Sequence, residues 1–276
     1  GEPFMAERVK EIALFCRMEG KSVTIISNGY LGKTADYKSL IAMGVTLFQF
    51  PVHSADANIH DDITQVAGSW EKSQASIQSV LSLKGYPVPV IVLTKYNVEV
   101  LGETLDFINS LGLKRIMLNR YNIGGNGTSE PASVSATHKQ LQDAFSIANK
   151  RAKELGLIIS SNVCSPDCLL RPSDYPSIIF GHCSSDASRR PITLDINGSI
   201  RLCNHSPVVA GNIYNEDIKD ILYSSYAESW NTSIPEYCSD CSDWETCRGG
   251  CRAASEQCGL GLEHVDPILT QLELQQ

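Results

Sequence analysis

The 276-residue sequence predicts an α/β fold in which a domain of alternating strands and helices precedes a smaller, cysteine-rich one. Three observations carry this. From Ser22 to Val163, apolar runs of strand length alternate with amphipathic stretches of helical period, with a glycine near each helix end; this implies parallel strands joined by helical crossovers. Seven of the ten cysteines fall between Cys183 and Cys258. A hydrophobic content of 42% leaves ample core for one large and one small domain. A closed α/β barrel and an open parallel sheet both satisfy the alternation.

In chain order, residues 1–21 read as a loop entering a helix, with Met5, Val9, Ile12, Ala13 and Cys16 at helical spacing and Cys16 as a core thiol. A short buried-type strand, SVTIISNGY, ends in the Ser27-Asn28-Gly29 turn, and DYKSLIAMGV is a short helix closed by Gly44. The strand TLFQFPVHS follows, with Asp61 and Asp62 in a solvated turn and His60 as a structural hydrogen-bonder. Then come the helix SWEKSQASIQSVLSLKG, the strand VPVIVLTKY, the helix VLGETLDFINSLG and the strand KRIMLNRYN. A Gly-rich loop leads into the longest helix, 133–155, with His138 on its exposed face, and then the strand LIISSNV. Gly124-Gly125-x-Gly127 lies between strand and helix but lacks the order and acidic partner of a dinucleotide site.

The cysteine spacing carries the most chemistry. Cys183-x14-Gly198-x4-Cys203 is followed by Cys238-x2-Cys241-x5-Cys247-x3-Cys251 and then Cys258. Thiolates at two-, three- and five-residue intervals suit a soft metal centre. Disulfides, structural zinc and iron-sulfur clusters are the three readings, and dense CxxC packing in a chain of this length argues against the first. Seven thiolates exceed one four-thiolate site, so two sites with an eighth ligand from elsewhere are expected; Cys164 and Cys168 are available upstream. Net charge of −8 argues against nucleic acid as a partner, and no apolar run is long enough to span a bilayer. A soluble, cytoplasmic chain is expected.

The series CX14GX4C, CX2CX5CX3C and C resembles the SPASM domain of radical S-adenosylmethionine enzymes, and three upstream stretches resemble landmarks of their barrel. Gly1-Glu2-Pro3 is similar to the GGEP motif that holds the methionyl amino group. Ser27-Asn28-Gly29 is similar to the end of the third barrel strand. The segment from Pro51 to Trp70 resembles the fourth-strand region, with Pro51-Val52-His53 where many relatives carry Ser-x-Asp. The resemblance implies a partial (β/α)6 radical SAM barrel over 1–163, truncated at its N-terminus, then a SPASM domain over 164–262 and a tail over 263–276. Relatives carry CX3CX2C upstream of GEP; the sequence as given starts at GEP, so it is expected not to cleave S-adenosylmethionine by itself.

Carried over residue by residue, the resemblance gives an inner cluster on Cys183, Cys203, Cys251 and Cys168, with Cys164 the alternative, and an outer one on Cys238, Cys241, Cys247 and Cys258. The Arg248-Gly249-Gly250 turn suits close backbone approach to a sulfur, and Trp230 and Trp244 are expected to pack around the cysteine loops. Gly1, Glu2, Pro3, Ser27, Asn28, Leu118 and Asn119 are implied to contact S-adenosylmethionine. Where sulfatase-maturing members place an aspartate base after the second cysteine, this chain has Asn204; His205, and His53 at a strand end, are the candidates for that role. The implied cofactors are two auxiliary 4Fe-4S clusters, a S-adenosylmethionine-cleaving cluster from an upstream segment, and S-adenosylmethionine. In the complete enzyme the resemblance implies a 5′-deoxyadenosyl radical that modifies a precursor peptide or protein, with flavodoxin or ferredoxin as electron donor. The alternatives are a haem-modifying enzyme and a non-catalytic iron-sulfur or zinc protein.

Overall fold

The computed structural model describes residues 1–45, 47–124, 133–184 and 190–270. The chain divides into two units, one of Gly1–Asn119, Asp143–Ser160 and Ser177–Ile179, the other of Arg120–Gln142, Ser161–Pro176 and Phe180–Gln276.

The first unit is built on a six-stranded sheet of β1 (Thr24–Ile26), β2 (Leu47–Pro51), β3 (Tyr86–Leu93), β4 (Arg115–Arg120), β5 (Ile158–Ser161) and β6 (Ile178–Phe180), in that spatial order. Thr24 lies opposite Leu47, Leu47 opposite Tyr86 and Arg115 opposite Ile158, all in parallel pairings. Strand order follows chain order because each crossover returns the chain beside the strand it left. The crossovers are α2 (Thr34–Ala42), α3 (Ala57–Thr64) with α4 (Ser69–Ser82), α5 (Leu101–Ser110) and α6 (His138–Leu155), and α1 (Val9–Met18) precedes β1. The sixth strand, β6, comes from within the stretch 164–262 read as cysteine-rich.

Alternation places Phe48 and Phe50 on one face of β2, where both are fully buried. Tyr37 of α2 meets them edge-on at 5.7 and 5.8 Å between centroids and meets Phe4 at 5.4 Å. Burial of each such ring contributes roughly 1.5–3 kcal/mol. The Tyr37 hydroxyl donates to Ser76 Oγ at 2.9 Å, and Ser76 Oγ donates to the Gly29 carbonyl at 2.8 Å, which ties α2, α4 and the end of β1 together.

Readings on three helices are corrected. The long helix begins at His138, not Ser133, because Thr137 and Gln140 form a reciprocal capping box: Gln140 N–H donates to Thr137 Oγ1 and Thr137 N–H to Gln140 Oε1. His138 is half-buried rather than exposed, its Nε2 2.8 Å from the Ile268 carbonyl. Asp61 and Asp62 belong to α3, not to a turn, and the Asp61 carboxylate accepts from Gly68 N–H, Ser69 Oγ and Trp70 N–H, anchoring the first turn of α4. On α1 only Ala13 is buried; Ile12, Phe15 and Met18 are exposed, and Cys16 is half-buried rather than a core thiol.

The second unit holds a small antiparallel sheet, β7 (Thr193–Leu194), β8 (Ser199–Arg201) and β9 (Gly211–Asn212), followed by the short helices α7 (Ile218–Leu222), α8 (Ser225–Thr232), α9 (Trp244–Cys247) and α10 (Arg252–Gln257). The glycine of the CX14GX4C spacing turns the first hairpin. Gly198 has φ +84°, and a Cβ there would lie 2.5 Å from the Tyr214 ring, so both backbone and space require glycine. No helix among the described residues is long and apolar enough to cross a membrane.

Candidate functional site

In the first unit, the Gly1-Glu2-Pro3 stretch and the end of β1 form one network. Glu2 Oε1 accepts from Ser27 Oγ at 2.8 Å and from Phe4 N–H at 3.2 Å, while Oε2 accepts from Asn28 N–H at 2.8 Å. Pro3 opens the short turn that Glu2 caps. Ser27 Oγ accepts from Gly29 N–H at 3.0 Å, so one carboxylate fixes the whole Ser-Asn-Gly turn. Leu118 and Asn119 are buried near the C-terminal end of β4.

His53 lies just beyond β2, with its ring Nδ1 accepting from Val92 N–H at 3.3 Å and its backbone N–H donating to His60 Nδ1 at 3.0 Å. The two rings stack at 5.2 Å. Burial pulls the imidazoles down, to about 3 for His53 and about 4 for His60. Both are neutral near pH 7, and His60 is the structural hydrogen-bonder expected of it.

In the second unit the cysteines fall into two groups. Cys251 is packed in a buried core with Leu202, Trp230 and Ala254, and Cys164, Cys183 and Cys203 pack against that core. The thiols of Cys183, Cys251 and Cys203 are the neighbours that, after burial, push Cys164 up. The other group gathers Cys238, Cys241 and Cys247 with Cys168: burial first, then the Cys247, Cys241 and Cys168 thiols, push Cys238 up to about 11. Cys164 packs with Cys183 and Cys203 against the core of Cys251, whereas Cys168 follows Asp167, whose N–H donates to Cys247 Sγ. Cys258 follows α10, and burial, then the Asp266 carboxylate, raises its thiol.

Three elements position these sulfurs. Asn122 Nδ2 donates to Cys251 Sγ at 3.2 Å, and Asp167 N–H donates to Cys247 Sγ at 3.3 Å. Arg248, Gly249 and Gly250 are all left-handed, and the N–H groups of Gly249 and Gly250 turn toward the Cys247 sulfur, as the glycine pair suggested. Arg120, buried at the end of β4, donates to the Cys164 carbonyl at 2.8 Å and to Ser165 Oγ, and pairs with the buried Asp266. Asp266 in turn accepts from Cys251 N–H at 2.8 Å. Arg120 was missed in the sequence, where a lone arginine at a strand end carries no signal.

The donor set fits an anionic thiolate cluster. Burial pushes Cys251 up to about 12 and raises Cys183, so these sulfurs need nearby cations to ionise. Arg120 supplies one beside Cys164, and Arg252 another beside Cys183. Arg252 is buried against Trp244, 5.4 Å from the ring centroid, and donates to the Trp230 carbonyl. Trp230 and Trp244 are both buried here, around the cysteine loops. Among the described residues no three His, Cys, Asp or Glu side chains converge on a point that would hold a single metal ion.

His205 follows Cys203 and donates its N–H to Cys203 Sγ at 3.5 Å, while its carbonyl accepts from Gln257 Nε2. Burial, then the charges of Arg120 and Arg201, lower the imidazole, leaving it a neutral base. Gly125 and Gly127 lie outside the described residues.

The iron-sulfur cluster-binding domain family SPASM matches residues 183–242, the stretch that contains four of these cysteines and the Gly198 hairpin. The fold matches that of Streptococcus suis SuiB bound to S-adenosylmethionine, with a TM-score of 0.71 at 16% identity over 97% of this chain and 64% of SuiB. It also matches anSMEcpe with bound AdoMet and Kp18Cys peptide, with a TM-score of 0.69 at 14% identity over 99% of this chain and 79% of that one. Residues 183–242 thus match an iron-sulfur cluster-binding SPASM domain, and the chain shares its fold with these two solved structures. The matched domain family binds iron-sulfur clusters, and both solved structures hold S-adenosylmethionine.

In sequence, the chain is 22% identical to the mycofactocin maturase MftC of Mycobacterium tuberculosis, over 98% of this chain and 69% of MftC. It is 23% identical to the AdoMet-dependent heme synthase of Methanosarcina barkeri, over 80% of this chain and 66% of that protein. The chain therefore spans about two thirds of the length of these relatives.

Proposed function

We propose that the protein acts as a maturase of a ribosomally made peptide or a protein side chain, using S-adenosylmethionine and auxiliary 4Fe-4S clusters. The observation that carries this is the packing of Cys164, Cys183, Cys203 and Cys251 around one buried core in the unit that contains the SPASM match, with Cys238, Cys241, Cys247 and Cys168 as four further thiols of that unit. Four thiolates complete one 4Fe-4S cluster, so eight complete two. Peptide as the substrate class is supported by the likeness to a mycofactocin maturase and by the solved complex of SuiB with its precursor peptide SuiA.

Bound together, a reduced 4Fe-4S cluster and S-adenosylmethionine supply hydrogen-atom abstraction; the protein positions and tunes them. On this reading Glu2 fixes the end of β1, and Gly1, Glu2, Pro3, Ser27, Asn28, Leu118 and Asn119 bind S-adenosylmethionine. Arg120 and Arg252 offset the negative charge of the thiolates. His205, kept neutral by burial and neighbouring cations, is the better placed proton acceptor; His53 already spends Nδ1 on the Val92 N–H. Electrons would come from a flavodoxin or ferredoxin.

A second reading, tetrapyrrole side-chain modification, is favoured by the likeness to the heme synthase. Anaerobic incubation of the iron-loaded protein with S-adenosylmethionine, a reductant and either candidate precursor peptides or tetrapyrroles separates them. The proposal predicts release of 5′-deoxyadenosine with a mass change in a peptide. Turnover confined to a tetrapyrrole moves the assignment to the second reading, and no release with either class overturns both.

A further inference from the structure

We propose that Cys168, and not Cys258, supplies the fourth thiolate of the outer site, so that the two segments Cys164–Cys168 and Cys247–Cys251 each give one ligand to each site. This rests on the reading of the second unit as a two-cluster domain. The segment from Cys164 to Cys168 crosses the Cys247–Cys251 turn and is held at both ends. At one end Arg120 Nη2 donates to the Cys164 carbonyl at 2.8 Å; at the other Asp167 N–H sits 3.3 Å from Cys247 Sγ. Between them Pro166 lies against Gly250, where a Cβ would come within 2.7 Å of the proline ring, so glycine is needed for the two segments to meet. Leu169 and Leu170 N–H both donate to the Pro166 carbonyl, closing a turn that presents Cys168 to the outer group.

Cys258 is carried the other way. It follows α10, which starts directly after Cys251, and its N–H bonds back to the carbonyls of Ala254 and Ser255. At about 1.5 Å per residue, seven residues of helical path displace it roughly 10 Å from Cys251. Each bridging segment has three residues between its cysteines, which gives the two sites a pair of short covalent connections and a fixed separation.

The test compares the wild-type protein with Cys168→Ala, Cys258→Ala and Cys164→Ala variants, all purified anaerobically, by iron and sulfide content and low-temperature EPR. The proposal expects Cys168→Ala to lose about four irons with matching sulfide, Cys164→Ala to lose the other EPR signal, and Cys258→Ala to match wild type. Alkylation of the native iron-loaded protein provides a check that needs no variant. Cys168 and Cys258 are both exposed in the polypeptide, so ligation alone distinguishes them: Cys258 should be modified and Cys168 protected. Loss of iron in Cys258→Ala with Cys168→Ala unaffected, or protection of Cys258 instead, overturns the assignment while leaving the two-cluster reading intact. Wild-type protein without iron overturns both.

Discussion

Replacing Asp266 by Asn should be among the most destabilising single changes in the second unit. The side chains of Asp266 and Arg120 are 1% and 2% exposed, and the guanidinium they would leave uncompensated is also bonded to the Cys164 carbonyl. Breaking a buried ion pair by removing one partner costs roughly 3–5 kcal/mol, whereas removing both charges is often close to neutral. Asn keeps one oxygen, for the Cys251 N–H or the Ile268 N–H but not both, so part of the loss reports a backbone bond and the double variant isolates the charge pair. With a urea m-value of about 2 kcal/mol/M, the midpoint should fall by about 2 M. Fluorescence of Trp230 and Trp244 reads the transition in the second unit, and a Trp70→Phe background removes the tryptophan of the first. The Arg120→Met/Asp266→Asn double variant should recover most of the loss. A midpoint within about 0.3 M of wild type for Asp266→Asn, or a double variant no better than the worse single, would refute the reasoning.

Other consequences follow from single contacts. Asn122→Ala removes the amide donor on Cys251 Sγ; hydrogen bonds to ligand sulfurs raise cluster potentials, so an EPR-monitored redox titration should show the inner signal moving to lower potential with the outer one unmoved. Gly198→Ala places a Cβ against Tyr214 at φ +84° and should cost more than about 1 kcal/mol, read as a lower melting temperature and weaker iron retention. For the first unit, the folded pKa values of His53 and His60, about 3 and about 4, lie below the ordinary 6.5, so the unfolded chain binds more protons as pH falls. The stability they contribute is complete above pH 6.5 and is lost as pH drops toward 4, by up to about 1.4 kcal/mol per pH unit for each imidazole. Urea midpoints from pH 7 to 4.5 should decline more steeply in wild type than in a His53→Gln/His60→Gln variant.

Much of this fold was legible in the sequence because its signals are local. Strand and helix periods, the glycine at Gly198 and the Glu2-Pro3 and Ser27-Asn28 stretches each declare themselves within a few residues, and the structure joins the last two through one carboxylate. What was not legible depends on the path of the chain between motifs. The order of cysteines suggested Cys258 as the last outer ligand, whereas spacing alone does not show that the helix α10 lies between it and Cys251. The Cys164–Cys168 segment looked like a source of one ligand because spacing does not show that Asp167 meets Cys247. Arg120 and Asp266 are 146 residues apart, and nothing local marks them as partners. The Thr137-x-x-Gln140 capping box, by contrast, was present in the sequence and would have placed the start of α6.

The central claim is that the second unit holds two four-iron clusters on eight of its cysteines. The most direct measurement is iron, acid-labile sulfide and zinc content of the anaerobically purified protein, with EPR after reduction. The account predicts about eight irons with matching sulfide from these sites and signals from two clusters. About two zinc ions without sulfide would contradict it and leave the thiols as structural metal ligands.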